Sequence, residues 1–570
     1  MKVAAIGLDA GELPYIESLM AAGQMPHLSK IAERSVRCRL TSNEAWRYGL
    51  VWQQFLYGQE VDLSDSWNGM GFDARNYRMW QRNAGFYASR HPFWTDPSLD
   101  CIAFDVPWLT RGEHDSGVQV VSWGAEAAQH VRASQPAGLL REIDDRFGSH
   151  PAFGNDYEVT WHDHERMDIL VEALDVGSHR RLEIASWLLE RFPDSELLVT
   201  VMSELHSANE YLWHGVDPDH PLATTEGAWS AERLVRVHAD LDDAIGRFAA
   251  SLGPDWALVV FSVYGSATSP GDTPSIALLP ELLQRISGGP AYLTSPDREA
   301  WAAAGHPPVI PEPGQSWEDA MDVSWVGPPP PRSPYPAAGR RLANAIGRPS
   351  TTIRSLRSRL QPQMMGALGV PIPAETYLTR ADIRRQPGDA LEWQFGARYR
   401  RRWPEMRAFA LPTFSDGLIR VNLKGRERNG VVAQDSFEAV LDELDAVLRA
   451  CRNPRTGGPA VAEVARFNPD VRAALAQDAA PADLAVRWAG PLDAIEHVDA
   501  GVIGPFPLHR TGTHSPRGFA MVMAPGLMPC DVGDYSAVDL PPTILDLLGR
   551  RPAPWVDGQS FLAGVALSSR

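Results

Sequence analysis

The chain has 570 residues and a formal charge of −18, with 44% apolar and 22% charged residues, the balance of an ordinary soluble globular protein. That length accommodates one large α/β domain with insertions, or two to three domains. The negative balance argues against nonspecific nucleic-acid binding and against adhesion to anionic membranes. It leaves room for a phosphorylated substrate, because a bound metal reverses the sign locally.

Met1 to Leu8 read as a buried strand ended by Asp9, and a helix pattern follows. A carboxylate at the carboxyl end of a strand in an open α/β sheet stands where such folds bind ligands. It is either a ligand for a cation or substrate or the N-cap of the next helix. Asp9 and Glu12 interrupt the first apolar run, so no leader of the basic, apolar, small-residue kind is read there. No apolar stretch is long enough to span a bilayer. Cys38, Cys101, Cys451 and Cys530 form no metal-knuckle spacing and read as buried thiols of a reducing compartment. The expectation is a cytoplasmic protein.

Strands and helices alternate over the first 290 residues. Glu196 to Met202 and Trp256 to Phe261 are apolar runs of strands buried on both faces, each preceded by a helix-period segment, Met167 to Arg191 and Ala231 to Leu252. The pattern predicts an α/β fold with a large, mostly parallel sheet covered by helices on both faces. From His306 the prolines multiply, ending in Pro328 to Pro331, and a packed helix or central strand is excluded. Residues 340 to 405 read as helical and Arg-rich, with Arg380, Arg384, Arg385, Arg398, Arg400, Arg401 and Arg402 forming either an anion surface or a solvated helix face. Gly417 to Leu423 alternates like a strand, Ser436 to Arg452 reads as a helix, and Asp539 to Gly549 as a last core helix entered through prolines. The expected division is a first core part at 1–305, a Pro-rich crossover and helical insertion or lid at 306–405, and a return to the core at 406–570.

One segment carries metal-ligand chemistry in its own spacing, and a second holds a histidine in a glycine turn. In Ser203-Glu204-Leu205-His206-Ser207-Ala208-Asn209-Glu210, a helix would place His206 and Glu210 on one face, four residues apart. Imidazole and carboxylate suit first-row divalent ions. In Thr511-Gly512-Thr513-His514-Ser515, a Gly-x-His turn precedes a glycine and an apolar strand.

Ile6-Gly7-Leu8-Asp9-Ala10-Gly11 and Met25-Pro26-His27-Leu28 resemble the opening of the alkaline phosphatase superfamily, with the type I phosphodiesterase/nucleotide pyrophosphatase group as the most similar branch. The resemblance extends over most of the chain except its proline-rich middle. It implies an alkaline phosphatase-like core, with Asp9 as a metal ligand, His206 and Glu210 where the family has Asp and His, and His514 as the last metal histidine. It also locates departures. Val263-Tyr264-Gly265 stands where the family has Asp-His-Gly, which removes two ligands together. Matching Trp52 and Gly58 puts Tyr48 at the nucleophile's place, with Thr41 and Ser42 as alternatives. Arg47 is placed to clamp an anion, and Glu44 joins Tyr48 and Arg47 as a catalytic candidate.

The leading expectation is therefore a metal-assisted hydrolase or transferase acting on a phosphate-like ester of a small anionic molecule. One divalent ion (Zn, Mn or Fe) would be held by His206, Glu210 and His514, with Asp9 nearby and water as nucleophile. Asp217 and His220 remain alternatives for one of these ligands. No nucleic-acid or membrane partner is expected. The rival readings are a catalytically inactive binding or scaffold protein, and non-phosphoryl transfer with Glu44, Glu204 or Tyr264 as acid/base.

Overall fold

The structure is a computed structural model. It describes residues 1–43, 47, 50–64, 70–82, 84–87, 89–110, 117–124, 132–153, 160–294, 297–328, 389–390, 394–414, 416–563 and 565. The strands that build the main sheet begin with β1 (Lys2–Leu8), β2 (Val36–Thr41), β3 (Cys101–Phe104), β4 (Val118–Val121), β5 (Ala133–Gln135), β6 (Leu197–Met202) and β7 (Trp256–Ser262). β8 (Gly265–Thr268) follows at once. Later come β9 (Ala408–Leu411), β10 (Gly417–Val421), β11 (Val461–Arg466), β12 (Leu484–Trp488), β13 (Gly512–Ser515), β14 (Arg517–Met523) and β15 (Cys530–Ser536).

Nine of these strands form the main sheet in the order β15-β2-β14-β7-β1-β6-β3-β4-β5. Pairing is parallel from β7 through β1, β6 and β3 to β4, and again between β2 and β15. Only β14 and β5 run against the others. The fold is thus α/β with a large, mostly parallel sheet, as the alternation predicts.

Strand burial explains why this sheet sits at the centre. Alternate residues of β1 enter two different cores: Val3 and Ala5 pack on one face, Ala4, Ile6 and Leu8 on the other. β7 divides in the same way, Ala257, Val259 and Phe261 against Leu258 and Val260. Period-two side chains buried on both sides require helices on both faces. One face carries α1 (Leu13–Ala21), α2 (Pro26–Glu33), α4 (His164–Arg191) and α6 (Gly227–Ser251); the other carries α3 (Val51–Tyr57) and α7 (Leu540–Leu547). α5 (Glu204–Leu212) springs directly from the end of β6. The start of α4 is set by Asp163, whose carboxylate accepts from the Arg166 backbone N–H. Prolines occupy the first turn of α7, where no intrahelical N–H is needed.

A second, antiparallel sheet in the order β9-β10-β12-β11 has its own core with Phe409, Ile419, Leu441 and Val486. The Ser436 to Arg452 helix is observed as Phe437–Ala450. Most of the Arg-rich stretch from 340 to 405, including Arg380, Arg384 and Arg385, lies outside the described residues. The described part does not form the expected helix: Phe395–Arg401 is a 3₁₀ turn, and Arg398 is packed 4.2 Å over the Phe395 ring. Cys530 is also a correction, since it lies exposed on an outer strand while Cys38, Cys101 and Cys451 are buried.

Candidate functional site

The carboxyl ends of the three central strands supply the site. Asp9 follows β1, α5 follows β6, and Tyr264 follows β7, its neighbours in the sheet. The chain turns sharply there: Ala10 after β1, Asp105 after β3 and Ser122 after β4 hold φ of 61°, 52° and 63°, a left-handed conformation costing about 1 kcal/mol for a residue with a Cβ.

Asp9 is fully buried. Its Oδ1 accepts from the Trp52 indole N–H at 2.9 Å and from the Tyr264 hydroxyl at 2.5 Å. The Trp52 ring reaches this position by crossing Gly7, where a Cβ would stand 3.1 Å from it. Asp9 does not cap α1, whose N-cap is Glu12.

α5 is buried along its whole length, and the expected helix face is real. His206 Nε2 lies 3.7 Å from Glu210 Oε1 and 3.0 Å from His514 Nε2. One ligand atom from each of the three residues lies within 4.8 Å of the other two. Asp9, Asp217 and His220 are not in this group. Asp217 accepts from Thr268 Oγ1, and His220 Nδ1 accepts the Leu222 N–H at 3.1 Å.

His514 arrives from far along the chain on β13, which pairs with β8 so that His514 faces Ser266. Asn209 joins the pieces: its Nδ2 donates to Ala10 O at 2.9 Å and to Ser266 Oγ at 2.8 Å. Gly512 makes the close approach of β13 to α5 feasible, since a Cβ there would stand 2.1 Å from the Asn209 carbonyl oxygen.

Burial, and then the neighbouring His514 and Arg510, hold His206 well below the usual imidazole range. It is therefore a neutral nitrogen donor with a lone pair, the form a divalent ion requires. Two nitrogens bound to one tetrahedral zinc stand about 3.3 Å apart, close to the observed 3.0 Å. Two imidazoles and one carboxylate match the donor set of open, catalytic first-row sites. The three residues fit a divalent ion.

Two further residues matter here. Arg510 places its guanidinium against both Glu210 and Asp272, and His509 Nδ1 lies 3.2 Å from the same Asp272. Glu12 turns to the β13–β14 corner, where Ser515 Oγ donates to it at 2.8 Å and Arg517, the first residue of β14, pairs with it at 2.8 Å. Burial raises its pKa despite these partners. A groove of about 570 Å³ opens on the other side of Glu12, between Tyr15, Trp213 and Val235, and none of the three candidate ligands lines it.

The remaining candidates are dispersed. Glu44 and Tyr48 lie outside the described residues. Arg47 Nη1 stands 3.4 and 3.5 Å from the two oxygens of Asp416. The Thr41 hydroxyl donates to the Tyr535 carbonyl and the Ser42 N–H to Pro516. Glu204 is sealed from solvent; burial raises its pKa, but Arg181 and His150 outweigh that and bring it to about 2.

No protein-family model matches the chain, and no curated protein matches it. Among solved structures it resembles murine ectonucleotide pyrophosphatase/phosphodiesterase 5, at TM-score 0.46 and 10% identity over 99% of both chains. The human protein of the same name gives TM-score 0.46 and 10% identity over 100% of both chains. Phosphonoacetate hydrolase from Sinorhizobium meliloti 1021 gives TM-score 0.42 and 10% identity, over 96% of this chain and 95% of that one.

Proposed function

We propose that His206, Glu210 and His514 hold one divalent ion (Zn, Mn or Fe) and that the protein is a hydrolase or transferase of a phosphate-like ester. The observation that carries this reading is the convergence of the three ligand atoms within 4.8 Å from elements about 300 residues apart in sequence. When bound, such an ion polarises an ester oxygen and lowers the pKa of water. The chain's own residues do the rest. Burial keeps His206 unprotonated. Glu210 supplies the negative charge of the donor set, and Arg510 orients its carboxylate. Arg47, which pairs with Asp416, is the guanidinium proposed for an anionic oxygen.

The test is elemental mass spectrometry on the purified protein before and after chelation, paired with turnover of model phosphoesters. About one ion per chain, lost in His206→Ala and His514→Ala together with turnover, supports the reading. Full turnover in both variants overturns it.

A second reading is favoured by the Glu210–Arg510 contact. A carboxylate already paired with a guanidinium forms a charge-satisfied cluster that needs no ion, as in a binding or scaffold protein. No metal uptake from excess divalent ion would select it.

A further inference from the structure

The three candidate ligands are held by different means. His206 lies on α5, a helix buried along its whole length, and Glu210 is met by the Arg510 guanidinium. His514 is only half-buried, on the four-residue strand β13 in a two-stranded ladder with β8. An imidazole there has two side-chain torsions to settle, at a cost in rotamer freedom. Its ring centroid is 5.2 Å from that of His206, with the two Nε2 atoms 3.0 Å apart. Rotation about either torsion changes that separation, so whatever fixes the plane of His514 also sets the nitrogen–nitrogen distance.

Tyr264 stands where that freedom is removed. It joins β7 to β8, two positions before Ser266, which faces His514 in the ladder. The centroid of its ring lies 4.4 Å from that of the His514 imidazole, with the planes inclined at 54°. The ring itself is fixed. Tyr264 is 4% exposed, its hydroxyl donates to Asp9 at 2.5 Å, and Trp52 meets it edge-on at 6.4 Å. Ser262 Oγ, 2.6 Å from the Tyr264 carbonyl oxygen, ties the backbone at the same place. The central strands thus hold Tyr264, and Tyr264 holds a ring against His514.

We infer that Tyr264 is a positioning residue whose ring, anchored by Asp9, sets the orientation of the His514 imidazole toward His206. The consequence for ion affinity rests on the proposed reading of His206, Glu210 and His514 as ligands; the ring contact does not. Groups that orient metal ligands without touching the ion change metal affinity by about 10–100-fold when removed.

The test uses the full chain and two readouts. Zinc affinity is measured by competition with a chromophoric chelator. In the metal-free protein, the His514 Cε1–H signal is followed by NMR with labelled histidine and assigned by its disappearance in His514→Gln. Tyr264→Phe keeps the ring and should bind zinc as the wild type does, with one sharp His514 signal. Tyr264→Leu removes the ring; it should weaken zinc binding about tenfold or more and broaden or split that signal. Tyr264→Met, whose flexible side chain fills irregular gaps, takes its place if the leucine variant does not fold. Val259→Ala, a cavity in β7 within the same core as Tyr264, is the control for general loosening and should leave both readouts in place. An undisturbed His514 signal in the ring-deleting variant overturns the inference, and zinc uptake by the wild type would then leave the ion-binding reading intact. Equal effects in Val259→Ala overturn it because loosening alone would suffice, and equal effects in Tyr264→Phe because the hydroxyl and not the ring would be acting. A wild type that takes up no zinc, with the His514 signal disturbed only when the ring is deleted, leaves the positioning role standing and defeats the ion-binding reading.

Discussion

Tyr264 donates its phenolic hydrogen to Oδ1 of Asp9 at 2.5 Å, across 255 positions of sequence. The carboxylate at the end of the central strand is therefore met by neutral donors from both sides, Trp52 on α3 and Tyr264 after β7. Asp9 is thus a buried acceptor that fixes the two elements flanking the site. Tyr264→Phe removes a hydrogen bond to a buried carboxyl group, worth about 0.5–3 kcal/mol. Urea unfolding should show a loss of that size while the ion content of the folded protein stays unchanged. Loss of the ion in Tyr264→Phe would instead place Asp9 and Tyr264 within the centre.

The central sheet was legible because β6 and β7 are buried on both faces, and such strands read as continuous apolar runs between helical periods. His206 and Glu210 were legible for a similar reason: helical spacing alone puts them on one face. What defines the surroundings of the site was not. Arg510 stands beside the recognisable turn at Gly512, but its partners Glu210 and Asp272 are 300 and 238 positions away, and no local pattern marks such pairs. The strands β9, β11 and β12 were missed likewise, because their pairing is set by the second core and not by their own periodicity. The Phe395–Arg401 segment misled for the opposite reason. Its composition favours a helix, but aromatic packing around Arg398 sets its conformation.

Acid should destabilise this protein early. Burial lowers His214 to about 3, His220 to about 4 and His238 to about 4, below the about 6.5 of an unfolded chain. A histidine with a depressed folded pKa binds its proton in the unfolded state first. Its stabilising contribution is full above about pH 6.5 and is lost as pH falls toward the folded value. Urea midpoints should therefore drop between pH 6.5 and 4, and a flat profile over that window would contradict the assignment. His214 gives a sharper check, because its value is the lowest of the three, held down by burial first and then by the neighbouring His220. His214→Leu should cost less than about 1 kcal/mol at pH 7.5 and flatten the acid limb.

The joint between α5 and β13 is the mechanical weak point of the candidate centre. At Gly512 an added Cβ would meet the Asn209 carbonyl oxygen at 2.1 Å and Trp213 Cβ at 3.0 Å, and the backbone atom cannot rotate away. Gly512→Ala should destabilise the fold by about 1–3 kcal/mol and weaken ion binding by an order of magnitude, since it pushes His514 away from His206. Gly490→Ala is the control, with nothing within 4 Å of its Cβ and no positive φ, and it should be neutral or slightly stabilising. Equal melting temperatures for the two variants would show that the close approach is not required.

Arg510 should be coupled energetically to Asp272 far more strongly than a surface pair. Its side chain is 15% exposed, and Asp272 is 2% exposed. Removing one partner of a buried pair strands the other, at about 3–5 kcal/mol. Arg510→Met should therefore be severely destabilising, and Asp272→Asn added to it should restore a large part of the loss, because the stranded charge is gone. A double-mutant cycle in urea should give a coupling of about 1–3 kcal/mol. Arg510→Lys should rescue only partly, since an ammonium cannot hold Asp272 and Glu210 at once as the planar fork does. Additive costs would mean that solvent already screens the pair, and Arg510 would then be a flexible cation at the rim, unable to orient Glu210.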